Sequence, residues 1–383
     1  MGKKTNAGRF ERGCLKVTTE NLTSWTLPGR EKPPNTNFQR CPEFCRNNRP
    51  ERFSLPAFTI SRRCKLKEPA RTSSYLETIE QIRSRLKQVI RGKDQVIELL
   101  LNAVLANGHV LLDDVPGVGK TSLAKALALT VRADFKRIQF TSDMMPSDIL
   151  GSSVFNQQSG EFKFYPGPVF ANILLGDEIN RASPRTQSAL LEAMSERQVS
   201  IEGVRYHLPE PFIVIATENP VEYFGTFPLP EAQLDRFAMK FSLGYPDSEE
   251  ELAMLNDRWQ GDPLDHLEPV VDCGGLQKMQ EAVRSVVMER TVQEYARAIV
   301  AATRDPENGF SLGASPRALL DLARCAQARA MLKGREFVTP DDVSTLAVAV
   351  LAHRLIPDRK SRHAGASAEE LVAAVVKKIR VPV

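Results

Sequence analysis

Apolar side chains at Leu76, Ile79, Ile82, Leu86, Val89 and Ile90 recur at the spacing of one helix face. The stretch 95–106 is apolar on most sides and predicts a second helix, buried nearly all round. After the Asn107-Gly108 break, residues 109–112 read as a short buried strand, followed by a Pro/Gly turn and a helix carrying Leu123, Leu127 and Ala128. Short segments at 135–140, where Phe135, Ile138 and Phe140 are apolar, and at 173–175 and 212–216, apolar throughout, predict further strands. Between the last two, Ser183-Pro184 supplies an N-cap and a first-turn proline for a helix reaching about Arg197. Strands alternating with helices predict a parallel α/β sheet.

Two interruptions read as inserted hairpins projecting from the sheet edge, one at 152–165 turning near Gly160, the other at 198–208 turning near Glu202-Gly203. From about Pro246 the pattern changes to helices started by Ser248, Ser315-Pro316 and Thr339-Pro340, with no strand run. Three segments follow: a tail over 1–70, an α/β core over 71–245 and a helical domain over 246–383. The tail, with seven prolines and no sustained apolar period, predicts disorder.

Charge sharpens that division. Residues 1–70 hold 15 Lys and Arg against 6 Glu, a formal +9, while the rest holds 36 basic and 41 acidic side chains, or −5. A mildly acidic body argues against binding by a blanket of positive charge on nucleic-acid phosphate. Four of the six cysteines, Cys14, Cys41, Cys45 and Cys64, lie in the basic tail at irregular spacing and without a histidine, so neither a disulfide framework nor a regular zinc site is implied. No run approaches the roughly 18 apolar residues of a membrane span, and no apolar signal core follows the first basic residues, which predicts a soluble cytoplasmic protein.

The strongest chemical signal is Asp114-Val-Pro-Gly-Val-Gly-Lys-Thr121, placed between a predicted strand and a predicted helix. The loop Pro116, Gly117, Val118, Gly119 and Ser122 suits phosphate through its backbone N–H groups, which Pro116 alone lacks, together with the positive helix end; Lys120 would reach the β/γ oxygens and Thr121 would hold Mg²⁺. Such loops usually begin with glycine, so the Asp114 carboxylate must point away from phosphate. Next, an apolar strand ends in Asp177-Glu178, an acid to hold Mg²⁺ and an acid to polarise water. A third strand ends at Asn219, where the side chain could orient that water and Asn219-Pro220 also reads as a turn. Arg236 precedes Phe237 in a charged triplet that could equally be a surface ion pair. Arg317 lies in the first turn of a helix, where a cation opposes the helix dipole; bound phosphate or a salt bridge would account for it.

Together these elements resemble an AAA+ ATPase. More narrowly, Gly176-Asp-Glu-Ile-Asn-Arg181 with Thr186-Gln-Ser-Ala-Leu-Leu-Glu-Ala-Met194, then Ala216-Thr-Glu-Asn-Pro220 and Pro228-Leu-Pro-Glu-Ala-Gln-Leu-Asp-Arg-Phe237, resemble the MoxR family over about 75–383. The resemblance implies a five-stranded parallel α/β core with a helical lid, assembled into a homo-oligomeric ring, usually hexameric, with ATP between neighbours. It implies Lys120 and Thr121 as Walker A, Asp177 and Glu178 as Walker B, Asn219 as sensor one, Arg236 as a finger donated to the next subunit and Arg317 as sensor two. Val89 and Ile90 match the stretch that lines the adenine pocket.

Where MoxR-like chains usually have Ala and Gln, this one has Gly176 and Glu218, and Glu218 is expected to add negative charge near the catalytic water. The implied function is Mg²⁺-dependent ATP hydrolysis driving chaperone-like remodelling or maturation of a protein client, metal insertion included, with a von Willebrand factor A domain protein as the implied partner. The alternative is a DNA-acting AAA+ motor. The exposed-hairpin candidates for client contact are Phe162, Phe164 and Tyr165, with edge packing as the other reading.

Overall fold

The computed structural model describes residues 72–158, 160–219 and 225–382; the basic tail, with its four cysteines and every expectation attached to them, lies outside the described residues. Two helices lead, α1 (Leu76–Val89) and α2 (Asp94–Leu105). The core continues with β1 (Val110–Asp113), α3 (Lys120–Thr130), β2 (Phe135–Gln139), α4 (Pro146–Leu150), β3 (Gly151–Asn156), β4 (Glu161–Pro166) and β5 (Ile173–Asp177). It ends with α5 (Pro184–Glu196), β6 (Gln198–Ile201), β7 (Val204–His207), β8 (Ile213–Glu218), α6 (Glu231–Leu234) and β9 (Met239–Phe241). The helical part comprises α7 (Ser248–Gln260), α8 (Cys273–Val283), α9 (Arg290–Ala302), β10 (Phe310–Leu312), α10 (Pro316–Leu332), α11 (Pro340–Leu351), β11 (Ile356–Pro357), α12 (Arg359–His363) and α13 (Ala368–Lys378).

Five strands form one parallel sheet in the order β2-β5-β8-β1-β9. Successive residues on a strand face opposite ways, and the sheet sorts its side chains accordingly. Val110, Leu112, Ile173, Leu175, Ile213 and Ile215 join α1–α3 in one apolar cluster that runs on into α8–α11, whereas Leu111, Leu174, Val214 and Ala216 join α5, Phe140, Phe212 and Phe237 in a second. Burial on both faces explains why β1, β5 and β8 read as continuous apolar runs rather than alternating ones.

Several expectations needed correction. The fifth strand, β9, is only three residues long and carries Lys240 at its centre, too little for a periodicity to register. The helical part is not strand-free, because β10 and β11 pair antiparallel; at three and two residues they too fall below what a pattern can show. Helix α7 is capped by Asp247 rather than Ser248, since the Asp247 carboxylate accepts from Glu250 N while Glu250 accepts from Asp247 N.

Each inserted hairpin, β3–β4 and β6–β7, pairs only with itself. They meet through Phe164, whose ring stacks on Tyr206 at 4.2 Å and packs edge-on to Phe170 at 5.6 Å. Phe155 and Phe162 touch each other at 5.2 Å but remain exposed, as does Tyr165. Of the three candidate aromatics, Phe164 is therefore a packing residue and the other two face solvent.

Candidate active site

The strand order places the carboxyl ends of β5, β8 and β1 side by side, so three polar termini far apart in sequence arrive together. At the first, Gly117 and Gly119 adopt φ of +90° and +99°, conformations that a Cβ would strain, and let the chain turn directly from β1 into α3. Asp114 is turned away from the loop. Its carboxylate accepts hydrogen bonds from Ser242 Oγ at 2.5 Å, Leu243 N at 2.6 Å and Gly244 N at 3.0 Å, which ties the loop to the turn after β9. The Lys120 ammonium, buried, donates to the Asp114 carbonyl oxygen at 2.7 Å.

Asp177 and Glu178 end β5. Thr217 on β8 organises both: its hydroxyl donates to Asp177 Oδ1 at 2.7 Å, and its oxygen accepts from Glu178 N at 2.9 Å. Glu178 has a φ of +58°, a left-handed conformation uncommon for its side chain, of the kind that clusters at functional sites. Its carboxylate accepts from Gln139 Nε2 at 2.7 Å and pairs with Arg181 at 3.0 Å. Arg137, also on β2, donates to Asp177 Oδ2 from Nη2 at 2.6 Å and from Nε at 3.2 Å.

A cavity of about 310 Å³ is lined by Pro116, Gly117, Gly119, Lys120, Thr121, Arg137, Gln139, Asp177 and Glu178. Adjoining it through the loop glycines, a cavity of about 700 Å³ is bounded by Val89, Ile90, Val118, Ser122 and, from across the way, Tyr245, Pro246, Met254 and Leu255. The polar chamber brings together the residues expected at phosphate and metal; the larger, more apolar one brings together those expected at a base. Asn219 is buried beside Thr217 at the end of β8, with its carbonyl oxygen 3.4 Å from Asn180 Nδ2.

The two arginines lie elsewhere. Arg236 donates to Leu191 O at 2.6 Å and to Ser195 Oγ near the end of α5, and Arg317 is exposed on α10. Neither lines either cavity. The segments that bear them do meet: Ser315, the N-cap of α10, donates to the Asp235 carboxylate at 2.9 Å. Arg354 completes that junction from a buried position, bonding Asp235 at 3.2 Å, Asp321 at 2.9 Å and the Phe237 carbonyl at 2.6 Å.

The expectation that Glu218 sits near the catalytic water is overturned by strand alternation. Thr217 faces Asp177, and Glu218 instead meets Lys240, whose Nζ lies 3.5 Å from Glu218 and 2.8 Å from Asp113. Burial raises the Glu218 carboxyl pKa, and Lys240 opposes that shift. Arg137, Gln139 and Thr217 are site residues that the sequence reading missed. The available signal was the polar pair at positions 137 and 139, two apart on a strand and so on one face.

Oxygen donors suit Mg²⁺. Asp177 and Thr121 line the same chamber, and Asp177 already attracts a cation in Arg137, so the residues fit a divalent ion arriving with phosphate. Among the described residues no cluster of three or more His, Cys, Asp or Glu could hold a metal unaided, and no helix is long and apolar enough to cross a membrane.

Comparison with known proteins places residues 109–239 in the "ATPase family associated with various cellular activities (AAA)" and residues 304–375 in the "AAA lid domain". The chain is 47% identical over 298 residues to the uncharacterized protein YeaC of Bacillus subtilis, spanning 78% of this chain and 93% of that one. It is 40% identical to chaperone MoxR1 of Mycobacterium tuberculosis, across 80% of this chain and 83% of the relative, and 30% identical to protein MoxR of Methylorubrum extorquens, across 82% and 98%. A crystal structure of a protein assigned as an ATPase from Cytophaga hutchinsonii superposes with a TM-score of 0.77 at 36% identity, covering 82% of this chain and 97% of that one.

Proposed function

Because the chain belongs to the MoxR family of AAA+ ATPases, we propose that it hydrolyses ATP between adjacent copies of itself in a ring and uses its two hairpins to remodel a protein client. The observation that carries this reading is a separation: Lys120, Thr121, Asp177 and Glu178 line one chamber, while neither Arg236 nor Arg317 lines it. Arginines absent from their own chamber suit a neighbour's phosphate.

In this reading the α3 amides and Lys120 grip the triphosphate, and Val89, Ile90 and Val118 border the base. Thr121 and Asp177 would hold Mg²⁺, which would neutralise charge on the phosphates. Glu178 takes the proton from the attacking water, Asn219 helps to orient it, and Thr217 keeps both acids in place. Arg236 from the next copy stabilises charge that grows on the transferring phosphoryl group, a contribution of roughly a thousandfold or more.

A mixing experiment tests the arrangement. Lys120→Ala and Arg236→Ala are each expected to be nearly inactive alone, the first through lost nucleotide binding. Mixed, they should recover activity wherever an Arg236→Ala subunit's intact chamber faces a Lys120→Ala neighbour's arginine. A fully active Arg236→Ala protein would remove the role in trans.

Chaperone-like maturation of a protein client is the setting we favour over a DNA motor, since well-covered relatives carry the chaperone and MoxR names. Metal insertion, and a partner bearing a von Willebrand factor A domain, are the forms of that activity which the family resemblance supplies.

A further inference from the structure

Two side chains of β2 reach into the polar chamber, and one places a cation on the acid expected to hold metal. Arg137 contacts Asp177 Oδ2 through both Nη2 and Nε. The guanidinium side chain is 46% exposed while the Asp177 side chain is 11% exposed, so a half-solvated cation closes off a nearly buried anion. Its Nη2 also donates to Gln139 Oε1 at 3.1 Å.

This pair is not needed to orient Asp177. The Thr217 hydroxyl already holds Oδ1 from the neighbouring strand and, by receiving Glu178 N, is itself fixed. Nor does Lys120 neutralise Asp177, since its ammonium donates to the Asp114 carbonyl. What Arg137 supplies is charge on Oδ2, the oxygen that Thr217 leaves open. A carboxylate left uncompensated in a chamber that must admit a triphosphate would repel it.

We propose that Arg137 is a resident counter-cation which divalent metal must displace from Asp177, so that this residue sets the metal dependence of nucleotide binding. The inference rests on the nucleotide-site reading above and deepens it. Without metal, the guanidinium screens Asp177 and lets nucleotide enter; with metal, two cations compete for one oxygen, and the divalent ion, also liganded by phosphate, prevails. Arg137 is thus a specificity-setting residue for the metal–nucleotide pair, acting through Asp177.

The test uses the full chain, a non-hydrolysable ATP analogue and Mn²⁺ followed by electron paramagnetic resonance. In Arg137→Met, Mn²⁺ should bind the analogue-loaded protein roughly three- to tenfold more tightly than in wild type, the scale of a partly exposed charge-assisted pair. The same variant should bind the analogue more weakly in EDTA. Arg137→Gln must move both affinities in the same directions, and Arg137→Lys should stay within about twofold of wild type. In an Asp177→Asn background the effect of Arg137→Met should vanish; its persistence would mean a general field rather than exchange at Oδ2. Unchanged or weaker Mn²⁺ binding in Arg137→Met and Arg137→Gln overturns the proposal. Wild-type protein that takes up no analogue, with or without Mn²⁺, instead overturns the nucleotide-site reading on which it stands.

Discussion

Glu218 shows how one residue's position in a strand decides its chemistry. In a pattern that ends Thr-Glu-Asn, the sequence offers all three polar side chains to the site, yet alternation allots Thr217 to Asp177 and Glu218 to Lys240. The acid that replaces the family's usual Gln is therefore expected to matter little for turnover. Glu218→Gln should change the single-turnover hydrolysis rate by less than about threefold, because the altered charge is paired away from the chamber and Lys240 keeps Asp113. A tenfold or larger increase, read by quenched flow, would put the carboxylate back beside the reacting water. Gly176 is the second departure. A Cβ there would lie 3.1 Å from Cε2 of Phe140, so glycine makes room for an aromatic ring packed under β5.

At the scale of elements, the hairpins are joined by one ring contact while their outer aromatics are unused by the fold. Stacked pairs contribute about 0.5–1.5 kcal/mol beyond burial. A double-mutant cycle of Phe164→Ala and Tyr206→Ala, followed by denaturant unfolding, should return a coupling in that range, whereas Phe162→Ala should leave stability within about 0.5 kcal/mol of wild type. If the hairpins act together on a client, breaking the stack should also reduce client-stimulated ATP turnover more than basal turnover. Equal loss of both would assign the stack to folding alone.

At the scale of the whole molecule, two buried histidines link stability to pH. Burial lowers His109 to about 4 and His353 to about 3, against an ordinary value of 6.5. His109 accepts from Val214 N and faces the Met194 carbonyl, and His353 faces the Phe237 carbonyl, so both are held neutral. Above pH 6.5 neither state of the protein gains from them. As pH falls through 6.5 the unfolded chain protonates first, and stability should drop until the folded values are reached, by up to about 1.4 kcal/mol per pH unit for each histidine. Glu218, raised by burial, works the other way but only near the carboxylate range. Denaturant unfolding at pH 7 and pH 5 should show the drop, with a shallower slope in His109→Gln; a flat profile would contradict it. His353 adjoins Arg354, whose bonds to Asp235, Asp321 and Phe237 join the segment bearing Arg236 to the helix bearing Arg317, so the acid-sensitive site lies at the junction of core and helical part.

Local chemistry made much of this protein legible in one dimension. The candidate phosphate loop is written in residues that are contiguous, because glycine dihedrals, a lysine and a helix start act within a few positions of each other. Buried strands of an α/β sheet are likewise visible as apolar runs, and two acids after such a run mark a strand end. What required the folded chain was everything set by alternation and by strand order. Only the sequence of strands β2-β5-β8-β1 brings Arg137 onto Asp177 and sends Glu218 to Lys240. Only the folded chain joins the N-cap of α10 to Asp235 and leaves Arg236 and Arg317 off the lining of the chamber. Contacts between residues tens of positions apart leave no period in a sequence, since each partner is chosen by where the sheet and helices carry it rather than by its neighbours in the chain.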